Sequence, residues 1–261
     1  MDRQSYLQRH VSVYFGRKVF REKIISQADV VTTVSAPLVE TLKNKYSQKR
    51  IEVIQNGFDS DEIKTLPAGS IFREDKVRII HTGTFYTGKM SPTLLFEAIQ
   101  LLAADRHSFP LLKNLEVLFC GPDNSRVMQQ AEEMRILPWV KDGGFLSREL
   151  ILKMQSEAHV LLFLGFDKNK TPGILTGKIF EYLFSGTLIW AIDVDDCSAV
   201  GQIIKEAKAG ILFGEDLNLL KQELLHLLKS PEKQKPQTDI IYLKQFERAA
   251  LADKMLKLVT V

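Results

Sequence analysis

Cysteine and histidine are scarce. Two cysteines, Cys120 and Cys197, and five histidines are spread over 261 residues. None has the spacing of a structural zinc site, and so few cysteines fit a reducing compartment rather than a disulfide framework. No uninterrupted apolar run reaches eighteen residues, so a membrane-spanning helix is not expected. The opening MDRQSYLQRH also lacks the apolar stretch of a secretory leader. Internal repeats and low-complexity tracts are absent. A large excess of charge of one sign is missing too: 35 Lys and Arg against 32 Asp and Glu leave a net charge of only +3, which gives no indication of a nucleic-acid partner. The histidines at 10, 81, 107, 159 and 226 show no paired spacing, so a catalytic triad is unsupported. His159, inside an apolar run, reads as structural. The expectation is a soluble, cytoplasmic protein without a metal or a nucleic-acid partner.

What is present is an alternation of apolar β-type runs and helical patterns. From Val77 the order is VRIIHTG, a helix from Ser91, LEVLFCG, a helix from Asn124, a short strand near Val140 and a helix from Ser147. HVLLFLG, the helix of GILTGKIFEYLFSG, TLIWAI, a helix from Ser198, AGILF and a helix from Asp216 complete it. Continuous apolar strands alternating with helices are the pattern of a parallel sheet covered on both faces. The fold class is therefore α/β, a Rossmann-like doubly wound parallel sheet. Two earlier strands, in ADVVTTVS and IEVIQNG, flank a helix beginning near Ala36. Two strands do not make a stable sheet alone; either they join the main sheet's periphery or they are a remnant of a second α/β domain. The division expected is 1–60 for that remnant, 61–232 for the main domain and 233–261 for a C-terminal closing helix.

In open α/β sheets ligands bind beyond the carboxyl ends of the strands. GILTGKIFEYLFSG, residues 173–186, begins with small residues and enters an apolar helix. Thr176 stands where a cap belongs, and Gly177 allows close backbone approach. A helix N-terminus favours a phosphate, and Lys178 adds a full charge. Glu181, three residues on, lies on nearly the same face and is placed to accept two hydrogen bonds from a ribose diol. An ordinary capped helix with a solvated Lys–Glu pair fits the same residues.

HTGTFYTGKMSP, residues 81–92, is a second glycine-rich loop. Gly83 to Lys89 spells G-x-x-x-x-G-K, but a nucleoside-triphosphate loop needs Ser or Thr next, and Met90 stands there. A P-loop-like NTPase remains an alternative. Asp193 and Asp195 form a D-x-D that suits either a divalent ion or a solvated turn. Residues 3–27 read as a basic amphipathic helix, either a solvent face or a peripheral contact with an anionic membrane surface.

Taken in order, these segments resemble the C-terminal, donor-binding half of a GT-B glycosyltransferase of the retaining family-4 type. The resemblance rests on ADVVTTVSAPLVETL with IEVIQNGFD, RIIHTGTFYTGK, LEVLFCGP, VKDGGFLSRELILKMQSEAHVLLF, GILTGKIFEYLFSGTLIWAI and AKAGILF. It implies a hexosyltransferase-type enzyme of polysaccharide or glycan biosynthesis using a UDP- or GDP-sugar. It further implies that Lys89 and Lys178 bind the diphosphate with amides at Gly83–Thr84 and Thr176–Gly177. Glu181 would hold the ribose, and the loop Gly144, Leu146 and Ser147 would border the base. Cations and helix N-termini aimed at the departing diphosphate need no metal. The implied acceptor is a glycan or a lipid-linked saccharide, at the inner membrane face. The sequence departs from the family at Thr84, where an arginine is frequent, at Gly173, where the first of two glutamates is frequent, and at DVDDCSAV after a late strand. Most of an acceptor-binding N-terminal domain is missing, so transfer is expected to need that half from an N-terminal domain or a partner subunit. A non-catalytic nucleotide-sugar-binding subunit is the alternative.

Overall fold

The computed structural model describes residues 22–64, 66, 68–72, 76–166 and 173–259. Only residues 22–27 of the basic N-terminal segment fall among them, and they are helical; the rest of that expected membrane-contact helix lies outside the described residues. Among the described residues no helix is long and apolar enough to cross a membrane.

The main sheet has six parallel strands: β3 (Val77–Thr82), β4 (Leu115–Cys120), β5 (Val140–Asp142), β6 (Val160–Leu164), β7 (Leu188–Ile192) and β8 (Gly210–Gly214). Their order is β5-β4-β3-β6-β7-β8, which is the doubly wound order with β3 as the first strand. β3 and β6 are buried along their whole length. Successive side chains go to opposite faces, as the period of two requires. Ile79, Leu162 and Trp190 enter the core shared with α3 (Thr93–Ala104) and α8 (Leu217–Lys229), whereas Ile80, Leu161 and Ala191 enter the core under α6 (Gly177–Ser185) and α7 (Ala199–Glu206). Both faces are therefore covered, and the crevice must form at an end of the sheet.

The helix starts follow local capping chemistry. Ser147 accepts from Leu150 N–H at the head of α5 (Arg148–Glu157), Ser198 from Gly201 N–H, and Asp216 from Leu219 N–H. α4 (Ser125–Glu133) follows Asn124, whose side chain makes no cap hydrogen bond and instead donates to Phe119 O and Asp142 Oδ1. α6 ends where Gly186 takes the left-handed conformation at φ 66°.

The two early strands do not join the main sheet. β1 (Val30–Thr33) and β2 (Arg50–Val53) pair in parallel as a sheet of their own, joined by α1 (Ala36–Lys45). A short α2 (Asp61–Lys64) follows in the crossover. The C-terminal tail differs from the single closing helix expected: α9 (Ile240–Lys244) and α10 (Arg248–Val259) are separated by a turn. The break arises because that turn pairs with the crossover. Phe58 N–H donates to Phe246 O at 3.0 Å, and Arg248 N–H donates to Phe58 O at 2.9 Å. Phe246 is fully buried against Phe180 of α6, so tail and crossover are fixed to the helix that carries Lys178.

Candidate functional site

β3 and β6 are paired only through Ile79–Val160 and Ile80–Leu161. Beyond that point the two strands separate, and the strand order of the parallel sheet reverses between them, so this is the expected place for a crevice. A cleft of about 420 Å³ opens near it, with Thr82, Gly83, Thr84, Cys120, Leu146, Arg148, Gly177, Lys178 and Glu181 among its walls. Six residues singled out from sequence, Gly83, Thr84, Leu146, Gly177, Lys178 and Glu181, thus share one cleft.

The sequence explains how α6 is held there. Tyr182, fully buried, receives the backbone N–H of Thr82 on its hydroxyl at 2.9 Å. Gln155 of α5 donates to Thr82 Oγ1 at 2.9 Å. The tyrosine of FEYLFSG therefore locks the helix to the last residue of β3, next to Gly83. Thr176 occupies the capping position, but its side chain makes no cap hydrogen bond. The first amides of α6 lack that side-chain cap, and the helix dipole adds positive potential at the same place.

Lys178 lies across Gly83. A Cβ added at Gly83 would fall 3.3 Å from Lys178 Cε and 3.7 Å from Nζ, and Gly83 has φ +87°. Glycine is needed here both for its backbone and for the space the lysine takes. The Gly83 N–H is not turned toward the cleft as expected; it donates to Cys120 O at 2.7 Å and extends the β3–β4 ladder. Gly83 contributes by lacking a side chain. Burial pushes the Lys178 amine down to about 7, opposed by the charge of Glu181. Its Nζ is 3.0 Å from His81 Nε2.

Glu181 accepts from Arg148 Nη1 at 2.9 Å through Oε1. Arg148 also donates from Nη2 to Glu62 Oε2 at 2.6 Å, and this hydrogen bond is the main reason the Glu62 carboxyl sits below its usual range. The crossover helix α2 is thereby connected to the carboxylate in the cleft. Cys120 enters the cleft as a neutral thiol: burial, and then the charge of Asp142, push it up to about 11, so it is not a nucleophile near neutral pH.

The remaining candidates are not among the residues that line the cleft. Gly144, with φ +67°, turns the chain and donates its N–H to Asp142 Oδ1 at 2.8 Å. Ser147 is occupied as the α5 cap. Thr176 faces a neighbouring hollow of about 250 Å³, with Pro37, Phe163, Gly173, Asp193 and Ser198 among its walls. Lys89 is exposed and is not among the residues lining the cleft. Its loop is not a triphosphate loop. A P-loop runs from its lysine straight into a helix, whereas α3 begins only at Thr93 and Met90 is buried in the core. Asp193 takes φ +56° and Asp196 pairs with Lys205 at 2.6 Å.

Arg148 and His81 were not singled out from sequence. Arg148 follows directly after the Ser147 cap, a position that often faces the end of a sheet, and this was the available signal. His81 immediately precedes Thr82-Gly83, inside an apolar strand, and its contact with Lys178 spans 97 positions.

No protein-family model matches the chain, and no curated protein matches it. Solved structures do. Sucrose-phosphate synthase from Thermosynechococcus elongatus superposes with a TM-score of 0.62 at 16% identity, covering 93% of this chain and 60% of that one. WaaG, a glycosyltransferase involved in lipopolysaccharide biosynthesis, gives 0.62 at 14% identity, covering 88% and 62%. Anabaena HepE, solved in complex with UDP-glucose, gives 0.60 at 14% identity, covering 89% and 64%. The chain spans about three fifths of the length of these structures. At such identities the likeness concerns the fold: the α/β fold with its six-stranded parallel sheet is the Rossmann-like fold of GT-B glycosyltransferases.

Proposed function

We propose that this chain is the donor-binding half of a retaining glycosyltransferase, and that its cleft takes a UDP- or GDP-sugar. The observation that carries the reading is the convergence of Lys178, Glu181 and the uncapped start of α6 on one cleft beside Gly83. The diphosphate lies at the α6 N-terminus against Lys178, and Lys89 closes on it from its exposed loop. The ribose hydroxyls donate to Glu181, whose Oε1 at present accepts from Arg148. The base lies along Leu146. Thr176 and Gly177 are adjacent but line different hollows, so the sugar extends from the diphosphate toward the second one. HepE, with its UDP-glucose, supports a nucleotide-sugar in this fold.

Breaking the bond between sugar and diphosphate leaves negative charge on the diphosphate. Lys178 and the helix amides are aimed where that charge develops, so they stabilise the transition state more than the ground state. This neutralisation uses the protein's own cation and dipole, and binding is expected without a divalent ion. Transfer to a glycan or lipid-linked acceptor is proposed for this chain together with an acceptor-binding half.

Calorimetry with UDP, GDP and their sugars tests the reading. One of these nucleotides binds, and Lys178→Ala weakens it by roughly tenfold or more, the size of a hydrogen bond to a charged group. Absence of binding to all of them would refute it.

A further inference from the structure

We propose that His81 is a positioning residue for Lys178, its neutral Nε2 accepting a hydrogen bond that holds the ammonium over Gly83 and leaves two N–H groups for a diphosphate. This rests on the donor-site reading given above. His81 is fully buried near the end of β3. Its Nδ1 is 3.0 Å from the carbonyl oxygen of Leu162. A carbonyl only accepts, so Nδ1 carries the hydrogen, and in a neutral ring Nε2 then carries the lone pair. The group on that lone pair is Lys178 Nζ, at 3.0 Å. Burial and then the nearby lysine charge keep the ring neutral, well below its usual range.

The location follows from the sheet. The β3–β6 ladder stops at Ile80–Leu161, and where the strands separate the Leu162 carbonyl is met by the imidazole instead. The ring is packed against Phe119 at 5.6 Å, so it has little freedom to turn. One nitrogen is thus tied to the sheet and the other points at the lysine. Lys178 is confined between this ring and the side-chain-free face of Gly83. An ammonium has three donors, and one of them is taken by His81. A long lysine side chain otherwise loses considerable rotamer entropy when it binds a ligand; fixing it beforehand removes part of that cost.

His81→Asn retains a donor for Leu162 but places no acceptor near Lys178, whereas His81→Gln reaches far enough to restore one. The first variant is expected to weaken UDP and inorganic pyrophosphate about five- to tenfold, the size of one ordinary net hydrogen bond, and to leave uridine unaffected. The second recovers most of the loss. In a Lys178→Ala background His81→Asn has no further effect. Unchanged pyrophosphate affinity, or an equal loss in the Lys178→Ala background, would overturn the proposal. If the wild type binds neither nucleotide nor pyrophosphate, the donor-site reading has failed, and ligand-free crystal structures decide this one. Lys178 leaving Gly83 in His81→Asn supports it; an unmoved lysine overturns it. Nitrogen-15 NMR of the wild type gives a reading that does not depend on the variant folding: His81 carries its proton on Nδ1, and a proton on Nε2 overturns the proposal.

Discussion

Ser35 donates its hydroxyl to the carbonyl of Gly173 at 2.6 Å, across 138 positions of sequence. Asn56 donates its side-chain amide Nδ2 to Leu175 O at 3.1 Å. The two-stranded unit of β1 and β2 thereby holds the loop that leads into α6. Gly173 has φ +88°, and a Cβ there would fall 2.8 Å from Ser35 Oγ and 3.0 Å from Pro37 Cβ. The position where the resembled family often carries a glutamate is filled here by the neighbouring unit.

Gly173→Glu is therefore expected to destabilise the protein by about 1–3 kcal/mol, from backbone strain at positive φ and loss of the Ser35 contact. Urea denaturation measures this. An unchanged midpoint would mean that the loop readily adopts another path.

Glu181→Gln should weaken UDP severalfold more than pyrophosphate, because the carboxylate is assigned to the ribose, whereas its effect on the Lys178 amine is common to both ligands. The same variant should lose the preference for UDP over 2′-deoxy-UDP. Arg148→Ala frees Glu181 Oε1 from its present partner and should preserve that preference. Calorimetric competition separates the cases. Equal losses for UDP and pyrophosphate in Glu181→Gln would remove the ribose assignment.

The parts that were legible in the sequence are those set by local chemistry. Ser147, Ser198 and Asp216 are caps because their side chains reach an amide three residues on, and the buried strands are legible because both faces need apolar side chains. Lys178 and Glu181 were legible as a pair because they share a helical face. Whatever depends on contacts between distant segments was not. The part of Tyr182 in locking α6 to Thr82, the His81–Lys178 contact and the Ser35–Gly173 bond each join residues about a hundred positions or more apart. The split of the C-terminal tail was hidden for the same reason, since it comes from Phe58 pairing with the turn at Phe246.

The depressed Lys178 amine gives a pH dependence with a definite sign. Around it stand His81 from β3, Cys120 from β4, Arg148 from α5 and Glu181 from α6. Below about pH 7 the ammonium is present with or without ligand, so its contribution to affinity is complete. Above that pH the free protein loses a proton that bound diphosphate restores, and UDP affinity falls by up to about tenfold per pH unit until the bound-state value is passed. The terminal phosphate of UDP, with a pKa near 6, is almost fully ionised by about pH 7, so the range above that, to about pH 9, isolates the lysine. Lys178→Met should show a flat profile there; a sloping one would place the titration on another group.

Chelation is informative in the same assay. With the diphosphate neutralised by Lys178 and the α6 amides, UDP affinity should be unchanged by excess EDTA. A loss of tenfold or more that added magnesium or manganese reverses would assign the neutralisation to a metal ion.

A crystal structure of the chain with UDP tests the central claim most directly. The account predicts diphosphate oxygens within hydrogen-bond distance of Lys178 Nζ and of the first amides of α6, with the ribose hydroxyls on Glu181. A nucleotide bound elsewhere, or one in this cleft with its diphosphate turned away from Lys178, would contradict it.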